Sequence, residues 1–213
     1  LIVLLGGTFD PIHNGHLHAA NGAAKALDVA HVDLVLAARP KHRAPPVAAI
    51  EHRWAMLELA VAGESRLRAD DREVRRGTAT YTIDTLEDAR ARAGAAEPIV
   101  WVLGWDSYRQ LPSWYRWGEL IDYAHLAVLK RPGSDSMLDA TMGEFTRHRR
   151  IDARARLGEA PAGAVYFIDA PMQSISSTDI RARLARGGDV RALLPPAVST
   201  YIATHRLYGD RTS

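Results

Sequence analysis

The sequence predicts an α/β fold, a doubly wound, mostly parallel sheet with helices on both faces. Three observations carry that prediction. Short apolar runs alternate with amphipathic stretches along the chain, the pattern of a parallel sheet covered on both sides. The first apolar run passes through two glycines directly into a helical pattern, a strand–turn–helix unit. Finally, 213 residues, 47% of them hydrophobic and 24% charged, suffice for one fully cored domain, with no internal repeat and no low-complexity linker.

In chain order, the first strand is expected at 2–5, an apolar run too short to span a membrane. Gly6 and Gly7 follow and, having no Cβ, let the backbone turn tightly and approach a ligand. Leu17, Ala20, Ala24 and Leu27 recur at helical spacing behind Asn14 as N-cap, which gives a helix over 15–27. In a parallel sheet this unit places amides and a positive helix end at the carboxyl edge of the strands, where phosphates bind. His13 and His16, three apart, can face the same anion. Further strands are expected at 32–37, 66–74, 99–103, 126–129 and 165–169, and helices at 50–62, 83–93, 114–123, 178–185 and 197–205. The expected organisation is a single domain over 1–213 with a variable insertion near 133–163, where helical fragments show weak periodicity and read as an insertion or a mobile arm. Within it, Arg147-His148-Arg149-Arg150 reads as a solvated face, because no aromatic residues are interleaved to stack on bases.

Composition removes several classes of function. The chain has no cysteine, which excludes a disulfide framework and a thiol nucleophile. Lysine occurs only at 25, 41 and 130, and the net charge is +2, so the arginine content reads as compositional bias and no nucleic-acid partner is expected. No run is long and apolar enough to cross a bilayer, and no membrane partner is expected. The glycine turn lacks both Gly-x-Gly-x-x-Gly and Gly-Lys-Ser/Thr, which argues against dinucleotide binding and P-loop hydrolysis. A zinc site at His13, His16 and His18 is disfavoured by the lack of cysteine and of a glutamate between the histidines, and His18 points away from His16 on a helix.

Two stretches carry a resemblance. Gly6-Gly7-Thr8-Phe9-Asp10-Pro11-Ile12-His13-Asn14-Gly15-His16 resembles the signature of the nucleotidyltransferases related to class I aminoacyl-tRNA synthetases, and Ile175-Ser176-Ser177-Thr178-Asp179-Ile180-Arg181 is similar to their second signature. The resemblance implies a Rossmann-like nucleotidyltransferase fold and nucleotidyl transfer, in which a phosphate oxygen attacks the α-phosphorus of ATP and pyrophosphate leaves. His13 and His16 are then the catalytic residues, holding the triphosphate and the developing charge. ATP is bound by Gly6, Gly7, Thr8, Phe9, His13, His16, Ser176, Ser177, Thr178 and Arg181. On the residues alone, Ser176-Ser177-Thr178 reads equally well as a plain helix N-cap. Asp10 reads as a turn residue capping local amides rather than a general base. Magnesium is expected to arrive with ATP, and no protein metal site is expected.

Five further stretches bear on the acceptor. Pro40-Lys41-His42-Arg43 follows the second strand and supplies cations for another phosphate. Gly77-Thr78-Ala79-Thr80-Tyr81-Thr82 precedes a helix whose free amides suit a carboxylate. Gly104-Trp105-Asp106-Ser107 follows a strand end, another ligand-edge position. Leu111-Pro112-Ser113-Trp114-Tyr115 puts Trp114 at a helix start, where it can stack on a flat ring or simply be a buried aromatic. Lys130-Arg131-Pro132-Gly133 closes a later strand with two cations.

Together these resemble the bacterial nicotinate-nucleotide adenylyltransferases along essentially the whole chain, least at 133–163. The resemblance implies ATP and nicotinate mononucleotide as partners and a cytoplasmic enzyme; a homo-oligomer is compatible with it. It assigns acceptor binding to Thr8, Lys41, His42, Arg43, Tyr81, Thr82, Asp106, Trp114 and Arg131, with the Tyr81 and Thr82 amides receiving the nicotinate carboxylate and Trp114 stacking on the pyridine. Trp105 departs from the pattern; it either crowds the pyridine site or packs beneath it. The alternatives are another adenylyltransferase of the superfamily, with phosphopantetheine or nicotinamide mononucleotide as acceptor, a cytidylyltransferase, or a catalytically silent nucleotide-binding regulator.

Overall fold

A computed structural model describes residues 1–40, 45–79, 81–130, 137–170 and 173–209. Its elements are β1 (Ile2–Gly7), α1 (Asn14–Leu27), β2 (Val32–Leu36), α2 (Ile50–Val61), β3 (Leu67–Asp70), α3 (Arg72–Arg76), α4 (Thr82–Ala93), β4 (Ile99–Gly104), α5 (Trp105–Arg109), α6 (Leu120–Tyr123), β5 (His125–Lys130), α7 (Ala140–Arg147), β6 (Arg150–Ile151), β7 (Val165–Asp169), α8 (Ser177–Leu184) and α9 (Pro196–Thr204). The strands form one seven-stranded sheet in the order β3-β2-β1-β4-β5-β7-β6, and every pairing is parallel. This is the doubly wound, Rossmann-like α/β fold.

Alternation along the central strands divides the core into two layers. Val3 and Leu5 of β1, Val100 and Val102 of β4, and Ala127 and Leu129 of β5 face one side, with α1, α2, α8 and α9 over them. Leu4, Trp101, Leu103, Leu126 and Val128 face the other, against α4, α6 and α7. Strands apolar on both faces need cover on both, and crossover helices supply it. The order reverses between β1 and β4, so the loops leaving their carboxyl ends diverge and open a cleft at the switch point.

The structure corrects four expectations. The strand expected at 66–74 stops at Asp70, whose carboxylate accepts the Arg72 N–H at 2.9 Å and turns the chain into α3. The helix expected at 114–123 is only a 3-10 turn over Trp117–Glu119 followed by α6, with a separate 3-10 turn over Leu111–Ser113 before it; Arg116 at φ 51° breaks any continuous helix. His13, not Asn14, is the N-cap of α1: His16 Nδ1 accepts the His13 N–H at 3.2 Å, a histidine doing the work expected of asparagine. Residues 137–163 do not stand off as an arm, for α7 buries Met142 and Phe145 in the core and β6 pairs with β7. In the Arg147–Arg150 run, Arg147 and Arg150 are exposed and ion-paired with Glu144 and Asp152, His148 hydrogen-bonds Glu144, and Arg149 is half-buried.

Candidate active site

A cleft of about 680 Å³ opens at the carboxyl ends of β1 and β4. Gly6, Gly7, Thr8, Phe9, His13, His16, Thr82, Asp106, Trp114, Ser176, Ser177, Thr178 and Arg181 all line it, so residues at the two ends of the sequence meet there. Lys41, His42, Arg43 and Arg131 lie outside the described residues.

Besides lining the cleft, the glycines make room within the protein. Neither Gly6 nor Gly7 takes a positive φ. A Cβ on Gly6 would collide with the Trp101 ring, and one on Gly7 with the Phe9 ring, so these positions make room for the protein's own aromatics. Phe9, at φ 48°, is buried and meets the His16 ring edge-on at 5.1 Å.

His13 and His16 stack with ring centroids 3.6 Å apart and planes 18° from parallel. His13 is 4% exposed, and its Nδ1 has no partner among the described residues. Burial lowers its pKa from 6.5 to about 4, and burial together with the neighbouring His13 ring lowers that of His16 well below the usual range. Both rings are therefore neutral at pH 7. The acceptor role of His16 Nδ1 places that ring's proton on Nε2, as an N–H donor. A consequence can be measured. Because the folded pKa of His13 lies below its unfolded value, the unfolded chain binds the proton first. The stability due to the neutral ring is complete above pH 6.5 and is lost as pH falls toward about 4. A ¹⁵N titration should place the His13 midpoint near 4; an ordinary midpoint near 6.5 would contradict the burial argument.

α8 faces this pair from across the cleft. Ser176 is its N-cap, with Oγ accepting the Asp179 N–H at 3.1 Å, and the Ser177 hydroxyl donates to Pro11 O at 2.9 Å. Of the two hydroxyls expected to bind phosphate, that of Ser177 is thus engaged within the protein, while Thr178 Oγ1 accepts from Arg181 and keeps its own proton. Beside them stand the Ser177 and Thr178 amides, which have no intrahelical acceptor, and Arg181. Arg181 Nη1 donates to Asp10 O at 2.6 Å and Nη2 to Thr178 Oγ1 at 3.3 Å.

Asp10 caps distant rather than local amides. It is 4% exposed and accepts from Val47 N at 2.7 Å, Ala48 N at 3.1 Å and the Tyr208 hydroxyl at 2.7 Å. A carboxylate so occupied is not poised as a general base.

On the acceptor side, Thr82 is the first residue of α4 and reaches the cleft. The Tyr81 amide, expected to receive a carboxylate, donates instead to Asp84 Oδ2 at 2.9 Å, and the Tyr81 ring packs 4.5 Å from Tyr115. Trp114 lines the cleft as the residue after a 3-10 turn. Trp105 packs away from it, against Tyr108 and Phe167, with Lys130 Nζ 5.5 Å above its ring. Asp106 sits in the first turn of α5 and lines the cleft.

Two residues of the site have no counterpart in the sequence reading. Arg53 of α2, 2% exposed, donates to four carbonyls: Ala48 at 3.2 Å, Thr8 at 2.9 Å, Ala37 at 2.8 Å and Ala38 at 2.7 Å. It ties the loops after β1 and β2 together. Glu73 of α3, 5% exposed, accepts from Ala38 N at 3.2 Å and the Thr85 hydroxyl at 2.6 Å, linking β2 to the start of α4. The signal available for Arg53 is its position three and four residues before Met56 and Leu57, on the apolar stripe of α2.

Among the described residues, no group of three or more His, Cys, Asp or Glu could hold a metal ion, and no helix is long and apolar enough to cross a membrane.

The cytidylyltransferase-like family model matches residues 4–183. A Hahella chejuensis protein named probable nicotinate-nucleotide adenylyltransferase is 44% identical, over 98% of this chain and 95% of its own. A Pseudomonas fluorescens protein of the same name is 43% identical, over 97% and 96%. The solved Plasmodium falciparum nicotinic acid mononucleotide adenylyltransferase complexed with NaAD shares the fold, with a TM-score of 0.74 at 20% identity over 97% and 96% of the two chains.

Proposed function

The chain belongs to the nicotinate-nucleotide adenylyltransferases of the cytidylyltransferase-like family, and we propose that its reaction takes place in the cleft between β1 and β4. The enzyme transfers the adenylyl group of ATP to nicotinate mononucleotide, giving nicotinate adenine dinucleotide and pyrophosphate in NAD biosynthesis. One observation supports the placement above all: the N-termini of α1 and α8 border one cleft, with a stacked pair of neutral histidines on one side and Arg181 on the other. Helix N-termini favour anions, and the pair suits a triphosphate.

The acceptor's phosphate is already an anionic nucleophile at neutral pH, so the site has to align and stabilise rather than remove a proton. In this reading His13 and His16 donate N–H groups to the transferred phosphate, and the charge that builds there during in-line attack strengthens those bonds. The Ser177 and Thr178 amides and Arg181 hold the leaving pyrophosphate. Magnesium, arriving with ATP, would supply charge neutralisation on the triphosphate. The partners assigned are ATP and nicotinate mononucleotide, with no nucleic acid, and the cytoplasm is the assigned compartment.

Acceptor choice rests on α4. With the Tyr81 amide held by Asp84, the carboxylate-binding role narrows to Thr82, at the positive end of the helix. Trp114 is placed to stack on the pyridine, and Asp106 to contact the nucleotide. The acid should therefore be favoured over the neutral amide by at least ~10-fold in kcat/KM, about 1.4 kcal/mol. Pyrophosphate release with nicotinate mononucleotide and with its amide analogue, run side by side, measures this. Equal use of the two would remove the carboxylate from the account.

A further inference from the structure

Three stretches of chain converge on Asp10. Its carboxylate takes the Val47 and Ala48 amides from the loop before α2 and the hydroxyl of Tyr208, 198 residues away. Its carbonyl takes Arg181 Nη1 at 2.6 Å, while the same nitrogen lies 3.9 Å from Asp10 Oδ2. Arg53 and Arg181 both act on this cluster electrostatically, but Arg53 is committed to four carbonyls. Among the described residues, Arg181 is thus the cation able to move onto the carboxylate if that carboxylate loses a donor. The tail that delivers Tyr208 is tightly specified. Arg206 and Tyr208 take φ values of 50° and 63°, uncommon for non-glycine residues, and Leu207 and Tyr208 pack against the core. Burial and the bond to Asp10 keep the phenol far above its ordinary pKa, so it remains a donor.

We propose that Tyr208 is a positioning residue for ATP: its hydroxyl is the shorter of the two donors on Asp10 Oδ1 and lowers the pull of the carboxylate, so that Arg181 stays on the Asp10 carbonyl and faces the triphosphate instead of closing from 3.9 Å onto Asp10. The proposal rests on the reading of Arg181 as a triphosphate ligand. Tyr208→Phe keeps the ring and its packing and removes only the hydroxyl. Asp10 Oδ1 then retains only the longer bond, from Ala48 at 3.1 Å, and the carboxylate competes with ATP for Arg181.

The test is a double-mutant cycle with Arg181→Ala, read as KM for each substrate. Tyr208→Phe should raise the KM for ATP about tenfold, the loss expected when a charged hydrogen bond is redirected. The KM for nicotinate mononucleotide should change less than about twofold. In the Arg181→Ala background, the same step should leave the KM for ATP unchanged. An equal rise in both backgrounds, or a rise for both substrates together, would make Tyr208 merely structural and overturn the proposal. If Arg181→Ala raises the KM for ATP and Tyr208→Phe does not, the proposal fails and the triphosphate reading stands. If Arg181→Ala itself leaves the KM for ATP unchanged, that reading fails with it.

Discussion

His16→Ala should lower turnover by about 10²–10³-fold and leave the protein folded. The size follows from the loss of one preorganised donor aimed at charge that develops in the transition state. His16 lies in the first turn of α1, its ring against His13 at 3.6 Å and Phe9 at 5.1 Å, with its proton on the nitrogen that does not cap the helix. Alanine removes the donor, the stacking that orients His13, and the cap on the His13 amide. The cap costs about 1 kcal/mol at a helix N-terminus. α1 itself is anchored by Leu17, Ala20, Ala24 and Leu27, all buried, so folding survives. Pyrophosphate release gives the turnover, and thermal unfolding followed by circular dichroism checks the fold. Activity retained to within a few-fold would mean that the phosphates bind elsewhere.

Arg53→Met should have the largest effect on stability, about 3–5 kcal/mol, because it leaves buried carbonyls without their charged donor. The carbonyls of Thr8, Ala37, Ala38 and Ala48 share one guanidinium, and methionine fills its volume without satisfying any of them. For a chain of this length the melting midpoint should fall by roughly 10 °C. Arg53→Lys should recover part of the loss, since an ammonium cannot spread five planar donors over that set. Urea unfolding of the three proteins measures the series. A methionine variant within about 1 kcal/mol of the parent would show that the clamp contributes little.

These two residues also mark what a sequence can and cannot disclose. The placement of the histidines together was legible because it is local: a strand, a glycine pair and a helix start lie within the first sixteen residues. The second signature was legible as a helix start, but the partners that Ser176 and Ser177 take within the protein were not. Their hydroxyls go to a backbone amide in the same turn and to Pro11 O across the cleft, and nothing in the motif separates those partners from a phosphate. Arg53, Glu73 and Tyr208 act over separations of 45, 35 and 198 residues. Periodicity reports which face of an element is apolar, not which distant carbonyl or carboxylate a polar group on it will meet. The misread elements have local causes too. In 66–74, Leu67 and Ala69 of β3 and Val74 of α3 bracket a charged stretch in which nothing but the Asp70 carboxylate marks the turn, and at 114–123 aromatic spacing resembles a helix that Arg116 at φ 51° interrupts.

The central claim is that this cleft aligns and neutralises its reactants and never bonds covalently to the group it transfers. The buried His13 Nδ1, unpartnered among the described residues, is the atom that makes the claim worth testing, since a neutral imidazole nitrogen can be a nucleophile. The stereochemical course at phosphorus decides it. With ATP carrying a chiral α-phosphorothioate, a single in-line displacement by nicotinate mononucleotide inverts the configuration, and inversion is the result this account expects. Retention would mean two displacements through an adenylylated side chain, and would contradict it.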